Sequence, residues 1–226
     1  MAPDIRVSDD TLKGLDQLKV PYTLIPNLET KSNLTQKNNS NFIYIPSLNL
    51  YVAKERTLQG KNWFETHKEL QLREERMLTI PQFVEFLKYA KSNFQEIYNN
   101  ITELRNLWRA EWLDADFKTK GKDLYINSNH VLDENGNILK YDSEILDKDT
   151  LMKDKGIDLE NWLENPTSQG LPRKDVKKGS LYYWNPRSDN NSVVRFVADS
   201  DWSGLNCYWF PSYRDPERGV RAVRHM

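Results

Sequence analysis

The densest cluster of potentially reactive groups is the run Glu111-Trp112-Leu113-Asp114-Ala115-Asp116-Phe117, whose three carboxylates could share a proton or hold a cation. A catalytic carboxylate pair needs two contrasting environments and a partner group in a cleft. The flanking Trp112, Leu113 and Phe117 instead predict a half-buried scaffold strand. His67 falls on the apolar face of a helical segment with no second His or Cys one turn away, the pattern of a core or boundary histidine. His130 has no partner at metal-ligand spacing. Asp133-Glu134-Asn135-Gly136 has the look of a calcium loop, but its glycine stands fourth where an EF-hand requires it sixth. Cys207 is the single cysteine, so no disulfide or thiol pair forms within the chain. With no Ser, His, Asp arrangement and no Gly-rich phosphate loop, the sequence predicts no catalysis, no bound metal and no cofactor.

The elements that position these groups follow from periodicity and punctuation. Runs at Phe42–Pro46 and Leu48–Val52, separated by a Pro46-Ser47 turn, predict an opening hairpin. Asn62 with Glu65 three residues on is a capping box, and Trp63, Phe64, His67 and Leu70 share one face of the helix it starts. Thr79, Pro81 and Gln82 repeat that signal. The stripe Ile80, Phe83, Val84, Leu87, Ala90 resumes as Phe94, Ile97, Tyr98, Ile101, Leu104 and Trp108 after a break at Ser92-Asn93. Asn135-Gly136 between apolar runs predicts a hairpin over 130–140. Asp142 to Lys178, with Pro166, Gly170 and Pro172 as breakers, predicts a long irregular insertion, and Leu181–Trp184 returns to strand composition. Residues 1–40 predict an N-terminal arm and linker: Ser8 caps a short helix with Leu12, Leu15 and Leu18 on one face, and an Asn- and Ser-rich connector follows.

Composition narrows the function classes. At 226 residues, 38% hydrophobic and 29% charged, the chain has the profile of a globular protein able to bury a core. Lys and Arg number 32 against 33 acids, a net charge of -1, so the overall field that drives nucleic-acid affinity is missing. No basic-then-apolar leader and no apolar run near 20 residues occurs, so neither secretion nor membrane insertion is expected.

The terminal stretch Asn190 to Met226 has a different character. Trp202, Tyr208, Trp209, Phe210 and Tyr213 alternate irregularly with Asp199, Asp201, Ser203, Gly204, Asn206, Ser212 and Asp215. Rigid aromatics mixed with small adaptable polar residues are the composition of antibody loops, although aromatics also serve as ordinary strand formers. Alternation assigns Val194, Phe196, Ala198, Leu205, Cys207 and Val220 to the core and turns the residues between Asp199 and Arg218 largely outward.

The frame around this mixture, Asn190-Asn191-Ser192-Val193-Val194-Arg195-Phe196 before it and Gly219-Val220-Arg221-Ala222-Val223-Arg224 after it, resembles the variable region of proteins diversified by diversity-generating retroelements, similar to those of archaeal viruses and related microbes. The likeness extends through Glu74 to Ile80, Glu111 to Phe117 and Gly170 to Val176. It implies an α+β, C-type-lectin-like domain over 41–226, with two helices, short antiparallel strands and long irregular loops, and a variable ligand-binding region over about 190–224. It also implies the variable positions Asp199, Asp201, Ser203, Gly204, Asn206, Tyr208, Trp209, Phe210, Tyr213, Asp215, Glu217 and Arg218. An Asn codon randomised at its two adenines yields Asp, Ser, Gly, Tyr, Phe or Arg, which fits all of these except Trp209 and Glu217. Trp202 reads as fixed scaffold.

The implied partner is a protein ligand on a host or target cell surface, bound without calcium, and the implied location is cytoplasmic or virion-associated. The Glu-Pro-Asn, Gln-Pro-Asp and Trp-Asn-Asp signatures of calcium-dependent lectins do not occur. Two alternatives stand beside this reading. Formylglycine-generating oxidases share the broad fold but need paired cysteines, which Cys207 alone cannot supply. A nucleic-acid module would use Arg187, Arg195, Arg214, Arg218, Arg221 and Arg224 with stackable rings, against the opposing Asp199, Asp201 and Asp215.

Overall fold

Two capping boxes start the principal helices where the sequence places them. In the computed structural model, which describes residues 41–225, Asn62 Oδ1 accepts the Glu65 N–H at 2.9 Å while Glu65 Oε2 accepts the Asn62 N–H at 3.1 Å. Helix α1 (Trp63–Gln71) buries Trp63, Thr66, His67 and Leu70. The Gln82 side chain likewise accepts the Thr79 N–H, at 3.1 Å, opening α2 (Ile80–Asn93), whose Ile80, Phe83, Val84, Phe86, Leu87 and Ala90 are buried. Phe94, at φ -143 and ψ 62, breaks the helix one residue past the expected Ser92-Asn93, and α3 (Gln95–Thr102) continues the stripe with Ile97, Tyr98 and Ile101. The stripe stops there. Leu104 lies beyond α3 and is 50% exposed. The arm and linker expected over residues 1–40 lie outside the described residues.

Twelve strands among the described residues form two sheets. The hairpin β1 (Phe42–Ile45) and β2 (Leu50–Ala53) pairs antiparallel from Phe42 opposite Ala53 to Ile45 opposite Leu50. Beside β2 lies β12 (Ala222–His225), then β3 (Arg76–Met77), so a strand from the far end of the sequence is interior to this small sheet. The larger sheet runs β6-β5-β4-β9-β10-β8-β7, comprising β4 (Arg109–Lys120), β5 (Asp123–Leu132), β6 (Ile138–Ile145), β7 (Lys155–Ile157), β8 (Leu181–Trp184), β9 (Ser192–Ala198) and β10 (Ser203–Trp209). The short β11 (Arg218–Gly219) pairs parallel with β4. The architecture is a mixed α+β fold in which most strand pairs are antiparallel.

The expected 130–140 hairpin joins β5 to β6, with Gly136 at φ 86 and Asp133 Oδ1 accepting the N–H groups of Asn135 and Asn137. Two other expectations need correction. EWLDADF is not half-buried: every residue from Arg109 to Phe117 is buried, because α2 covers one face and a second cluster built on Trp63, Met77, Trp112, Val193 and Val220 covers the other. Residues 142–178 are only partly irregular. They supply the end of β6, β7 against β8, and the short α4 (Leu159–Glu164), whose Trp162 donates its indole N–H to the Gly170 carbonyl at 2.9 Å. Gly170, at φ 77, stands where a Cβ would meet the Pro81 nitrogen at 2.6 Å, so this segment locks onto the start of α2.

Candidate functional site

Strand β9 sets the terminal region by being buried on both faces. Val194 and Phe196 enter the main core, Val193 enters the second cluster, and Arg195 and Val197 are buried between their neighbours. Simple inward and outward alternation therefore fails. Along β10 the pairing runs Ser203 opposite Ala198 to Asn206 opposite Arg195, then Trp209 opposite Val193. Three steps on β10 thus match two on β9, a bulge that inserts one residue and reverses the side-chain phase. Cys207 consequently stays in the main core while Trp209 packs on the opposite cluster.

Of the twelve positions expected to face a ligand, three are interior. Gly204 is closed in by β8: a Cβ there would meet the Tyr182 carbonyl oxygen at 2.3 Å and the Trp184 ring at 2.6 Å. Asn206 is 2% exposed and its Oδ1 accepts the Tyr208 N–H at 3.0 Å, holding the bulge. Arg218 is fully buried, its guanidinium 4.5 Å from the Trp112 ring centre and 5.0 Å from that of Tyr213, and its Nη1 donates to the Tyr213 carbonyl. These side chains build the surface from beneath. Asp201, Phe210 and Tyr213 are exposed; Asp199, Ser203, Tyr208, Trp209, Asp215 and Glu217 are half-buried.

The outward aromatics rest on cations. Arg195 lies 3.5 Å from the Trp209 ring centre, and Arg187 lies 3.7 Å from that of Tyr208. Trp209 meets Tyr213 edge to face at 5.7 Å. Burial, reinforced by repulsion from Arg218, pushes the Arg195 pKa down to about 9, and burial pushes Arg218 down to about 10 against the pull of Asp215; both stay charged at neutral pH. Arg195 Nε, Arg218 Nε and Nη2, and Trp209 Nε1 are buried without a hydrogen-bond partner. The Phe210–Arg214 loop is tied to the start of α1, where Pro211 accepts the Trp63 N–H at 2.9 Å and Arg214 forks onto the Glu65 carboxylate. Arg221 pairs with Glu111 at 2.8 Å and Arg187 with Asp154 at 3.6 Å, so the terminal arginines are largely committed to internal contacts.

A second assembly has no counterpart in the sequence reading. His67 from α1, Asp114 from β4 and His130 from β5, all buried, place one ligand-type atom each within 4.8 Å of one another. Asp114 Oδ1 lies 2.5 Å from His130 Nδ1 and 3.5 Å from His67 Nε2, while its Oδ2 accepts the His130 backbone N–H at 3.2 Å. Asp116 Oδ1 stands 3.4 Å from His130 Nε2 and accepts Asn127 Nδ2 at 2.7 Å. Burial pushes the His67 pKa down to about 4 despite Asp114. Burial also opposes the charge on His130, but the two carboxylates raise its pKa to about 9. His67 Nε2 and His130 Nε2 have no hydrogen-bond partner. A cleft of about 420 Å³, lined by Gln71, Arg76, Asn129 and Lys140, reaches Asp114 and His130.

No protein-family model matches the sequence, and neither a curated protein nor a solved structure is significantly similar to it. Among the described residues no helix is long and apolar enough to cross a membrane.

Proposed function

We propose that the chain is the variable protein of a diversity-generating retroelement, with a C-type-lectin-like fold, that presents a diversified surface to a protein ligand and is not an enzyme. The observation that carries this reading is the display of Tyr208, Phe210 and Tyr213 around the half-buried Trp209, on a strand and loop whose backbone is fixed from both sides. Rigid rings on a rigid frame give large contact area at low entropic cost, the quality of residues that dominate protein interfaces. Pairing of β12 between β2 and β3, which closes the ends of the domain on one another, supports the lectin-like fold. Calcium has no part in this reading.

The test is to sequence the locus and its variants. The reading expects a near-copy of the codons for Asn190 to Arg224 beside a reverse-transcriptase gene, differing at adenines only. Functional variants should differ at Asp201, Tyr208, Phe210 and Tyr213 while Gly204, Asn206 and Arg218 stay constant, because those three are interior. A locus without such a copy, or variants that change freely at Gly204, would refute it.

A further inference from the structure

The His67, Asp114, His130 cluster is incomplete as a hydrogen-bonded core network. Buried polar nitrogens nearly always find a partner, since leaving one unpaired costs its full desolvation. Here the Nε2 atoms of His67 and His130 both lack one. The His67 nitrogen is aimed at Asp114 Oδ1 at 3.5 Å, too long for a hydrogen bond and close to the spacing between two ligands on one small metal ion. Metal to nitrogen or oxygen bonds of about 2.0–2.2 Å in tetrahedral array separate their ligand atoms by roughly 3.3 Å. Asp114 is oriented for such a role, because the His130 backbone N–H holds its Oδ2 and leaves Oδ1 facing both imidazoles.

We propose that His67 Nε2, the Asp114 carboxylate and His130 Nδ1 bind one divalent transition-metal ion of the zinc class. Two imidazoles and one carboxylate form a borderline donor set that suits zinc, cobalt or nickel far better than calcium, which takes six to eight oxygens. The ion takes the place of the proton between Asp114 Oδ1 and His130 Nδ1, and their 2.5 Å separation opens to that of two ligands as it enters. His130 Nε2 then faces Asp116 Oδ1 at 3.4 Å, and Asp116 is steadied by Asn127, so a small closing movement supplies the outer-shell carboxylate that fixes an imidazole ligand. Asp114 and Asp116 together match the double charge of the ion. The cleft bordered by Gln71 and Arg76 reaches two of the three ligands, giving the metal an entry path and room for an exchangeable fourth ligand. The site joins α1 to the β4–β5 hairpin, well apart in sequence from the variable stretch, so it stands or falls independently of the proposed function.

The experiment is calorimetric titration of the chelator-stripped full chain with Zn2+, Co2+ and Ca2+, with Co2+ absorption as a second readout. One Zn2+ or Co2+ should bind per chain, with the intense visible bands of a low-coordinate cobalt site, and Ca2+ should not bind. Asp116→Asn should weaken binding roughly 10- to 100-fold, as outer-shell changes do, and His67→Gln and His130→Gln should weaken it further. His225 is the only other histidine, so His225→Gln is the control that must leave binding unchanged. Should His130→Gln fail to fold, His67→Gln and the wild-type titration carry the test. Absence of saturable Zn2+ or Co2+ binding by the wild-type chain, wild-type affinity in folded His67→Gln, or loss of binding in His225→Gln each overturns the proposal.

Discussion

Replacing Trp209 and Phe210 separately by alanine distinguishes a ring that belongs to the scaffold from one that only decorates it. Phe210 is 55% exposed, so less than half of the roughly 1.5–3 kcal/mol for burying a whole phenylalanine is at stake, about 1 kcal/mol. Trp209 stacks on Arg195 at 3.5 Å, a partly desolvated cation–π contact of about 1–2 kcal/mol. Its edge-to-face contact with Tyr213 adds about 0.5–1.5 kcal/mol. With its packing on the Trp112 and Val220 cluster, Trp209→Ala should cost about 3 kcal/mol. At about 2–4 °C per kcal/mol for a domain of this size, Phe210→Ala should lower Tm by about 2–4 °C and Trp209→Ala by about 6–12 °C. Differential scanning calorimetry at fixed pH and salt measures both. Equal shifts, or a larger one for Phe210→Ala, would show that the bulge does not turn Trp209 inward, and the division between floor and display would be wrong.

Two further perturbations test the frame. Glu111→Gln leaves the buried Arg221 guanidinium without its counter-ion and should cost about 3–5 kcal/mol in urea unfolding, whereas Glu111→Leu with Arg221→Leu should recover most of that loss; an additive double variant would refute the pairing. Partial burial works against ionisation of Glu65, but the Asn62 N–H and the Arg214 guanidinium hold its carboxyl below the usual glutamate value. Because the folded pKa is the lower one, its contribution is present above the unfolded pKa of about 4.5 and is lost as pH falls through the folded value. Hydrogen exchange at the Trp63 amide, which bonds Pro211, should therefore gain protection between acidic and neutral pH in the wild type and less so in Arg214→Ala.

Local signals were legible wherever the physics is local. The Asn62 and Glu65 box, the Thr79 and Gln82 box, the Phe83 to Ala90 stripe and the Asn135-Gly136 turn need only neighbours within one helical turn or one hairpin. Double-sided burial of β4 and β9 was not legible, because it depends on which elements cover each face and not on the strand's own alternation. The bulge after Asn206 has no glycine to mark it. Arg218 and Arg221 have the composition of surface residues, and their burial rests on ring and carboxylate partners about a hundred residues away, Trp112 and Glu111. His67, Asp114 and His130 come from three elements, so spacing within any one of them carries no metal signature. Regular alternation carries no hint either: with Asp116 opposite Asn127, His130 three residues on would fall on the other face of β5, and the register shift between Ser128 and Val131 brings it back.

The extra residue between Asn206 and Trp209 makes chain length a property under constraint in its own right. Before the bulge, odd-numbered residues point into the main core; after it, Trp209 points the other way. Deleting one residue there would restore a regular ladder and carry every following side chain to the wrong face, undoing the floor under the displayed rings and the loop anchored at Trp63. Exchanging one side chain for another leaves that phase untouched. A surface built in this manner tolerates exchange of the exposed Asp201, Phe210 and Tyr213 at constant length and almost no editing of length.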